Sequence, residues 1–346
     1  MRYQRSILRP LFLVTSIVLA ALLFNSSSPV TSQTPSPQSS ADVVKVDVDL
    51  VKIDALVLQK KTARIVGGLN KEDFLLYEDG TKQEITHFSQ DELPLSVVLA
   101  IDRGPVCPHW IDTWSDEAHR AAREAIDRLK LVDEIAVMTF TDSTKLIQPF
   151  TRNRIQIEKA LNNIPPQAKN AKVAHCFNLM FADAAKHMLE ASNPAGRRVI
   201  IVITSMTRLF DCSNGPSNRA AARAIYESGA VVCAIIPKVI IQRVENALQT
   251  VATRVNKVVA ANYMDLEYLA NETGGEVLAD KPKKLDTTFQ TLIDHLRSRY
   301  NLAFVSTNKK RDGTTRKLKL DIDPVRQKSQ DKLVIKARRS YIAPRS

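Results

Sequence analysis

Two hydrophobic periods divide this chain. From Val43 to Glu92 apolar residues recur every second position: Val44, Val46, Val48 and Leu50, then, after a change of phase, Ile53, Ala55 and Val57. The alternation resumes at Phe74-Leu75-Leu76-Tyr77, turns at Glu78-Asp79-Gly80-Thr81 and continues through Ile85 and Phe88. Asp-Gly between two such runs predicts a hairpin, because the tight turn needs positive φ. Gly67-Gly68 marks a second turn.

From Leu95 to about Arg299 the pattern changes. Unbroken apolar runs (Leu95 to Ile101, Glu134 to Phe140, Arg198 to Thr204, Ala230 to Ile236) alternate with amphipathic stretches. Lys145 to Phe150 and Glu276 to Leu278 read as short strands. Asp116 to Leu131, Asn153 to Ile164, Phe177 to Glu190, Ser217 to Ser228, Met264 to Glu272 and Leu285 to Arg299 read as helices. The helix from Met264 ends at Thr273-Gly274-Gly275, where glycine takes a left-handed cap. Continuous apolar strands between helices predict a mostly parallel sheet covered on both faces.

Period two returns after Tyr300, with Leu318, Leu320 and Ile322 alternating with Lys317, Lys319 and Asp321, and with Leu333, Ile335 and Ala337 behind them. Isolated hairpins are marginal, so the two β zones are expected to pair into one discontinuous β-sandwich with the α/β domain inserted. The expected organisation is a leader or anchor over 1–28, a Ser/Thr/Pro-rich linker over 29–42, sandwich strands over 43–92, the α/β domain over 93–299 and the remaining sandwich strands over 300–346.

Arg2, Arg5 and Arg9 precede an apolar run from Leu11 to Phe24 that is short for a bilayer span, which is the layout of an export signal. Periplasmic or secreted location is therefore expected, with an uncleaved N-terminal tether as the alternative. The net charge of +12 is uneven. Residues 307–346 carry 13 Lys/Arg against 4 Asp, a balance of +9. Alternation of these lysines with apolar residues points to a solvated sheet face, and an acidic polymer or anionic membrane surface is the functional alternative. Nucleic acid is a poor partner for an exported chain without interleaved aromatics.

The chain carries a set of short motifs in fixed order: Gly68-Leu69-Asn70-Lys71-Glu72-Asp73-Phe74, Glu78-Asp79-Gly80, Gln83-Glu84-Ile85, Leu93-Pro94-Leu95-Ser96-Val97, Gly196-Arg197-Arg198, Glu272-Thr273-Gly274-Gly275, Leu296-Arg297-Ser298-Arg299-Tyr300 and Ala337-Arg338-Arg339-Ser340-Tyr341. Together they resemble the bacterial exported proteins related to the von Willebrand factor type A (VWA) domain. The resemblance covers nearly the whole mature chain. It implies a Rossmann-like domain acting in adhesion or assembly rather than catalysis, through a metal-ion-dependent adhesion site at the edge where the strands end. Asp102 matches the first aspartate of that site, but Gly104 and Val106 stand at its two serine positions. The threonine position falls on Ala174, four residues ahead of Asn178, and the second aspartate position on Ser205. Mg²⁺ requires hard oxygen donors, so this set argues against the ion. Asp102 then reads as a loop-ordering carboxylate at a partner-binding edge.

Four cysteines occur. Cys233 lies in a buried run, whereas Cys107, Cys176 and Cys212 fall on loops that the implied topology brings to the same edge. In an oxidising compartment a disulfide among them is expected, with Cys107–Cys176 first and Cys107–Cys212 next. His109 and His175 on the same loops open a lesser alternative, a Cys/His zinc site, although the spacings match no zinc motif. A thiol nucleophile at Cys176 beside His175, or a carboxylate pair of Asp102 and Asp211, is the hydrolytic alternative. The chain contains no Gly-x-Ser-x-Gly, Walker, Gly-x-Gly-x-x-Gly or His-Glu-x-x-His motif, so no catalytic role or cofactor is expected. Within 238–262, Val244, Leu248, Val251, Val255 and Val258 share one helical face, which reads as a packed helix or a docking helix.

Overall fold

The change of phase near Leu50 is resolved in the first strand. Leu50 points outward, and Val51, Ile53, Ala55 and Val57 are buried in β1 (Leu50–Gln59). The computed structural model describes residues 50–104, 120, 122–123, 126–166, 168, 175–205, 208–210, 212–237, 263–328 and 332–345. The expected leader, the linker, the 238–262 helix and the residues Val106, Cys107, His109, Ala174 and Asp211 lie outside them.

Three more strands follow β1: β2 (Phe74–Glu78), β3 (Thr81–Gln83) and β4 (Ile85–Ser89). Between β2 and β3, Asp79 and Gly80 take φ of 47° and 85°, the consecutive positive values that a two-residue hairpin turn demands. The chain then enters an α/β layer. In order it comprises β5 (Leu95–Asp102), β6 (Glu134–Phe140), β7 (Thr144–Thr151), α1 (Arg154–Asn162), α2 (Phe177–Met188), β8 (Arg197–Ile203), β9 (Arg208–Phe210), α3 (Asn218–Ser228), β10 (Val231–Pro237), β11 (Tyr263–Asp265), α4 (Leu266–Thr273), β12 (Val277–Asp280) and α5 (Leu285–Arg297). It leaves through β13 (Tyr300–Val305), β14 (Thr315–Ile322), α6 (Pro324–Lys328), β15 (Leu333–Lys336) and β16 (Ser340–Ile342).

The central sheet runs β12-β10-β8-β5-β6-β7 and is parallel except for β7, which pairs antiparallel with β6. Every residue of β5 is buried. Its alternate positions face two different cores: Val97, Leu99 and Ile101 pack with α1 and α5, while Val98 and Ala100 pack with α2 and α3. This two-sided burial is why the strands read as unbroken apolar runs rather than as alternation. Local chemistry sets the helix ends. Asn153 accepts from the amides of Ile155 and Gln156 at α1, Ser217 from Ala220 at α3, and Asp265 from Tyr268 at α4. Gly229 and Gly274 close α3 and α4 with φ of 71° and 81°. The helix expected from Met264 begins instead at Leu266, because Tyr263–Asp265 pairs with Arg208–Phe210 as a two-stranded ribbon. These three-residue strands are too short to show a period in sequence.

The flanking strands form two four-stranded sheets, β15-β1-β13-β4 and β16-β14-β2-β3. One apolar cluster joins them, with Ile53, Phe304 and Tyr300 from the first sheet against Leu76, Leu318 and Tyr341 from the second. This is a sandwich in which each sheet draws strands from both ends of the chain, since β1 pairs with β13 and β2 with β14.

A buried polar seam joins sandwich and α/β layer. Arg197 at the start of β8 donates to Asn301 Oδ1 at 2.7 Å and to Leu296 O, and pairs with Asp54 at 3.2 Å. Arg299 is fully buried and donates to Gly274 O at 2.8 Å. Glu276, also buried, lies 2.7 Å from His295 Nδ1. Burial alone would raise its carboxyl above the ordinary 4.5, but the hydrogen bond and charge of His295, with Lys336 and Arg299, outweigh that and hold it lower. A depressed folded value stabilises the protein above the unfolded pKa, and this contribution is lost as pH falls through the folded one. Urea midpoints titrated downward from neutral pH should therefore show the stability advantage of wild type over Glu276→Gln shrinking below about pH 4.5. An advantage that stays constant with pH would contradict this assignment.

Candidate functional site

The parallel register of β5 with β8 pairs Ile101 with Ile203. One step further along both strands, Asp102 and Thr204 become neighbours. Thr204 Oγ1 donates to Asp102 Oδ2 at 2.7 Å, and the Gly104 amide donates to Asp102 Oδ1 at 2.8 Å. His175, just before α2, sets its Nδ1 2.9 Å from each carboxylate oxygen. Asp102 is only 1% exposed. The carboxylate thus ties together three loops at the edge where the strands end.

Glycine at position 104 is required by this arrangement. A Cβ there would sit 2.3 Å from two atoms of the His175 ring, so any side chain displaces the imidazole. The neighbouring Arg103 is also buried; burial pulls its guanidinium below the usual value while the Asp102 charge opposes that shift. Ser205, at the second aspartate position, is buried beside Thr204.

The disulfide joins Cys176 to Cys212, with Cα atoms 5.4 Å apart, which corrects the expected pairings through Cys107. The physical reason lies in Asn178, on the first turn of α2. Its Nδ2 donates to Cys212 O at 3.0 Å and to Pro216 O at 2.8 Å, and its Oδ1 accepts from the Cys212 amide at 3.2 Å. Those bonds bring the loop after β9 onto the N-terminus of α2, where Cys176 stands. With its sulfur in the bridge, Cys176 is not a thiol nucleophile, which corrects that alternative, and it does not serve as a zinc ligand; Cys107 and His109, the other residues of the zinc alternative with His175, lie outside the described residues. Among the described residues no three His, Cys, Asp or Glu side chains cluster in a way that would hold a metal ion. Cys233 is a buried free thiol, and burial pushes its pKa up to about 11.

Sequence reading placed Asp102 at this edge but missed its partners. Thr204 was legible as the residue following Ile203 in a strand parallel to β5. Contact between His175 and Asp102, 73 positions apart, had no local signal. Asn178 looked like an ordinary helical position.

No protein-family profile matches this chain, and no curated protein matches it either. Solved structures do match. The structural neighbours include von Willebrand factor type A proteins. The von Willebrand factor type A protein from Catenulispora acidiphila is 11% identical, covering 87% of this chain and 75% of its own, with a TM-score of 0.41. Proximal thread matrix protein 1 from the mussel byssus is 14% identical over 60% of this chain, with a TM-score of 0.44. This chain spans about half (49%) of the mussel protein's length. An aerotolerance-related membrane protein from Bacteroides fragilis is 17% identical, covering 58% of this chain and 98% of its own, with a TM-score of 0.40.

Proposed function

We propose that this chain is an exported, non-catalytic binding or scaffold protein that presents the Asp102 edge to a protein partner without a bridging Mg²⁺. The observation that carries this reading is the closure of Asp102 by protein donors. Thr204, the Gly104 amide and His175 surround its carboxylate, and His175 lies over Gly104 where an adhesion-site serine would project. This donor set does not fit Mg²⁺, which prefers several oxygen ligands with waters in an open octahedron. The Cys176–Cys212 bridge favours an oxidising compartment. Among the described residues, exposed polar side chains at this edge include Asp142, Ser143, Ser213 and Asn214.

Pull-down from envelope extract tests the reading. Capture should survive chelator and fall at least tenfold in a Ser143→Arg/Ser213→Arg variant, because two bulky cations at the rim block close approach. Chelator-sensitive capture would refute the metal-free edge.

A second reading rests on the outer face of the sheet β16-β14-β2-β3. There Lys82, Tyr77 and Lys319 form one cross-strand row, with Lys317 beside it on the same face. Retention on an acidic polysaccharide that is lost in Lys82→Glu/Lys319→Glu, with capture unaffected by the rim variant, would favour this face as the working surface.

A further inference from the structure

Asparagine followed by glycine occurs once in this chain, at Asn214-Gly215. The pair stands in the loop that the Cys176–Cys212 bridge and Asn178 hold against α2, at the edge where Asp102 ends β5. Such a pair is chemically labile. A glycine peptide nitrogen has no Cβ beside it to shield it, and the preceding carboxamide carbon lies where that nitrogen can close a five-membered ring.

Packing explains why glycine is kept here. A Cβ at position 215 would lie 2.8 Å from Asn178 Nδ2 and 3.2 Å from Leu179 Cβ, both on the first turn of α2. A bulkier residue, which would slow ring closure, therefore pushes the loop off the helix. Asn214 itself is exposed.

In the closed loop both reacting groups are engaged. The Gly215 amide donates to Cys212 O at 3.1 Å, and Asn214 Nδ2 donates to Asp142 O at 2.6 Å. Asn178 brackets the turn, bonding the Cys212 amide on one side and Pro216 O on the other. Ring closure requires the segment from Cys212 to Pro216 to open, a local event that is less costly than unfolding the domain.

We propose that Asn214 is a self-modifying site whose conversion to a carboxylate is gated by opening of this loop. The Gly215 nitrogen gives up its proton to solvent base and attacks Asn214 Cγ. A C–N bond forms, the Cγ–Nδ2 bond breaks and ammonia leaves. Water then opens the succinimide at either carbonyl, giving aspartate or isoaspartate. In sum a water is consumed and an ammonia released, with no oxidant or reductant. A carboxylate cannot donate, so the bond to Asp142 O gives way to two facing acceptors. The edge also gains a negative charge near the exposed Asp142. The consequence for a partner rests on the reading of this edge as the binding surface; the conversion itself does not.

The test incubates the full chain in mildly alkaline buffer and follows the peptide carrying Asn214 by mass spectrometry, with isoaspartate resolved by chromatography. Oxidised wild type should convert slowly and urea-unfolded wild type fast. Asn178→Ala should convert about tenfold faster than native wild type, because the turn loses its clamp. Reducing the bridge should add to that rate. Asn214→Gln, which would have to close a larger ring, should not convert. Gly275→Ala, which loosens the fold at the opposite ends of the strands, should leave the native rate unchanged. Equal rates in native and unfolded wild type overturn the proposal, as does an Asn178→Ala rate no higher than wild type. Equal acceleration by Gly275→Ala also overturns it, since global unfolding would then set the rate. Conversion is read from mass and partner capture from pull-down, so the two readings fail independently.

Discussion

Replacing Gly275 with alanine should cost about 3 kcal/mol or more, at the upper end of overpacking penalties, because the obstacle is backbone. A Cβ at this position would lie 1.8 Å from Val232 O and 2.7 Å from its carbonyl carbon. Neither atom can move alone. Val232 is the second residue of β10, paired with Ile200 of β8, and its amide donates to Thr273 Oγ1 at 2.9 Å. The Gly275 amide is likewise fixed, donating to Ala270 O at 2.7 Å. Relief would therefore require α4 to lift from the sheet and pull the adjoining β12 with it. In thermal melts the loss corresponds to roughly 6–12 °C for a domain of this size. Gly67→Ala is the matched control: its nearest new contact is an ordinary 3.5 Å, so it should stay within about 0.5 kcal/mol of wild type. If Gly275→Ala melts within about 1 kcal/mol of wild type, helix and sheet are less closely packed than described.

Reduction of the Cys176–Cys212 bridge should have the other large effect. The bridge spans 36 residues, and closing a loop of that length restricts the unfolded chain by about 4 kcal/mol at most, with 2–4 typical. Native geometry should survive, because Asn178 holds the Cys212 loop with three hydrogen bonds of its own. Urea unfolding of wild type with and without reductant should show the loss, and a Cys176→Ala/Cys212→Ala variant should be insensitive to reductant. Were the double variant to respond as strongly as wild type, some other thiol would be responsible. Asn178→Ala separates the two devices: it should loosen the edge even with the disulfide intact, by leaving Cys212 O and Pro216 O without their donor.

Elements whose cause is local are legible in the amino-acid pattern. Unbroken apolar runs announce β5, β6, β8 and β10, since two-sided burial requires it of every position. Asp79-Gly80 announces its hairpin because few residues tolerate positive φ. The ribbon of β9 with β11 is hidden, as three residues carry no measurable period. Exposure of Leu131 is hidden too, because an apolar residue at the end of an expected helix carries no sign of whether a neighbouring element covers it.

At the candidate site the division is sharper. By itself the sequence determined which donors are missing, since Gly104 has no hydroxyl in any fold. It also determined that an acidic residue ends β5, because strand register follows from burial. Tertiary structure alone decided what fills the space. His175 reaches Asp102 across 73 positions, and Cys176 meets Cys212 rather than a third cysteine. Such contacts depend on how several loops close over one sheet edge. Closure is governed by the packing of whole elements and by single polar anchors such as Asn178, and neither leaves a periodic trace along the chain.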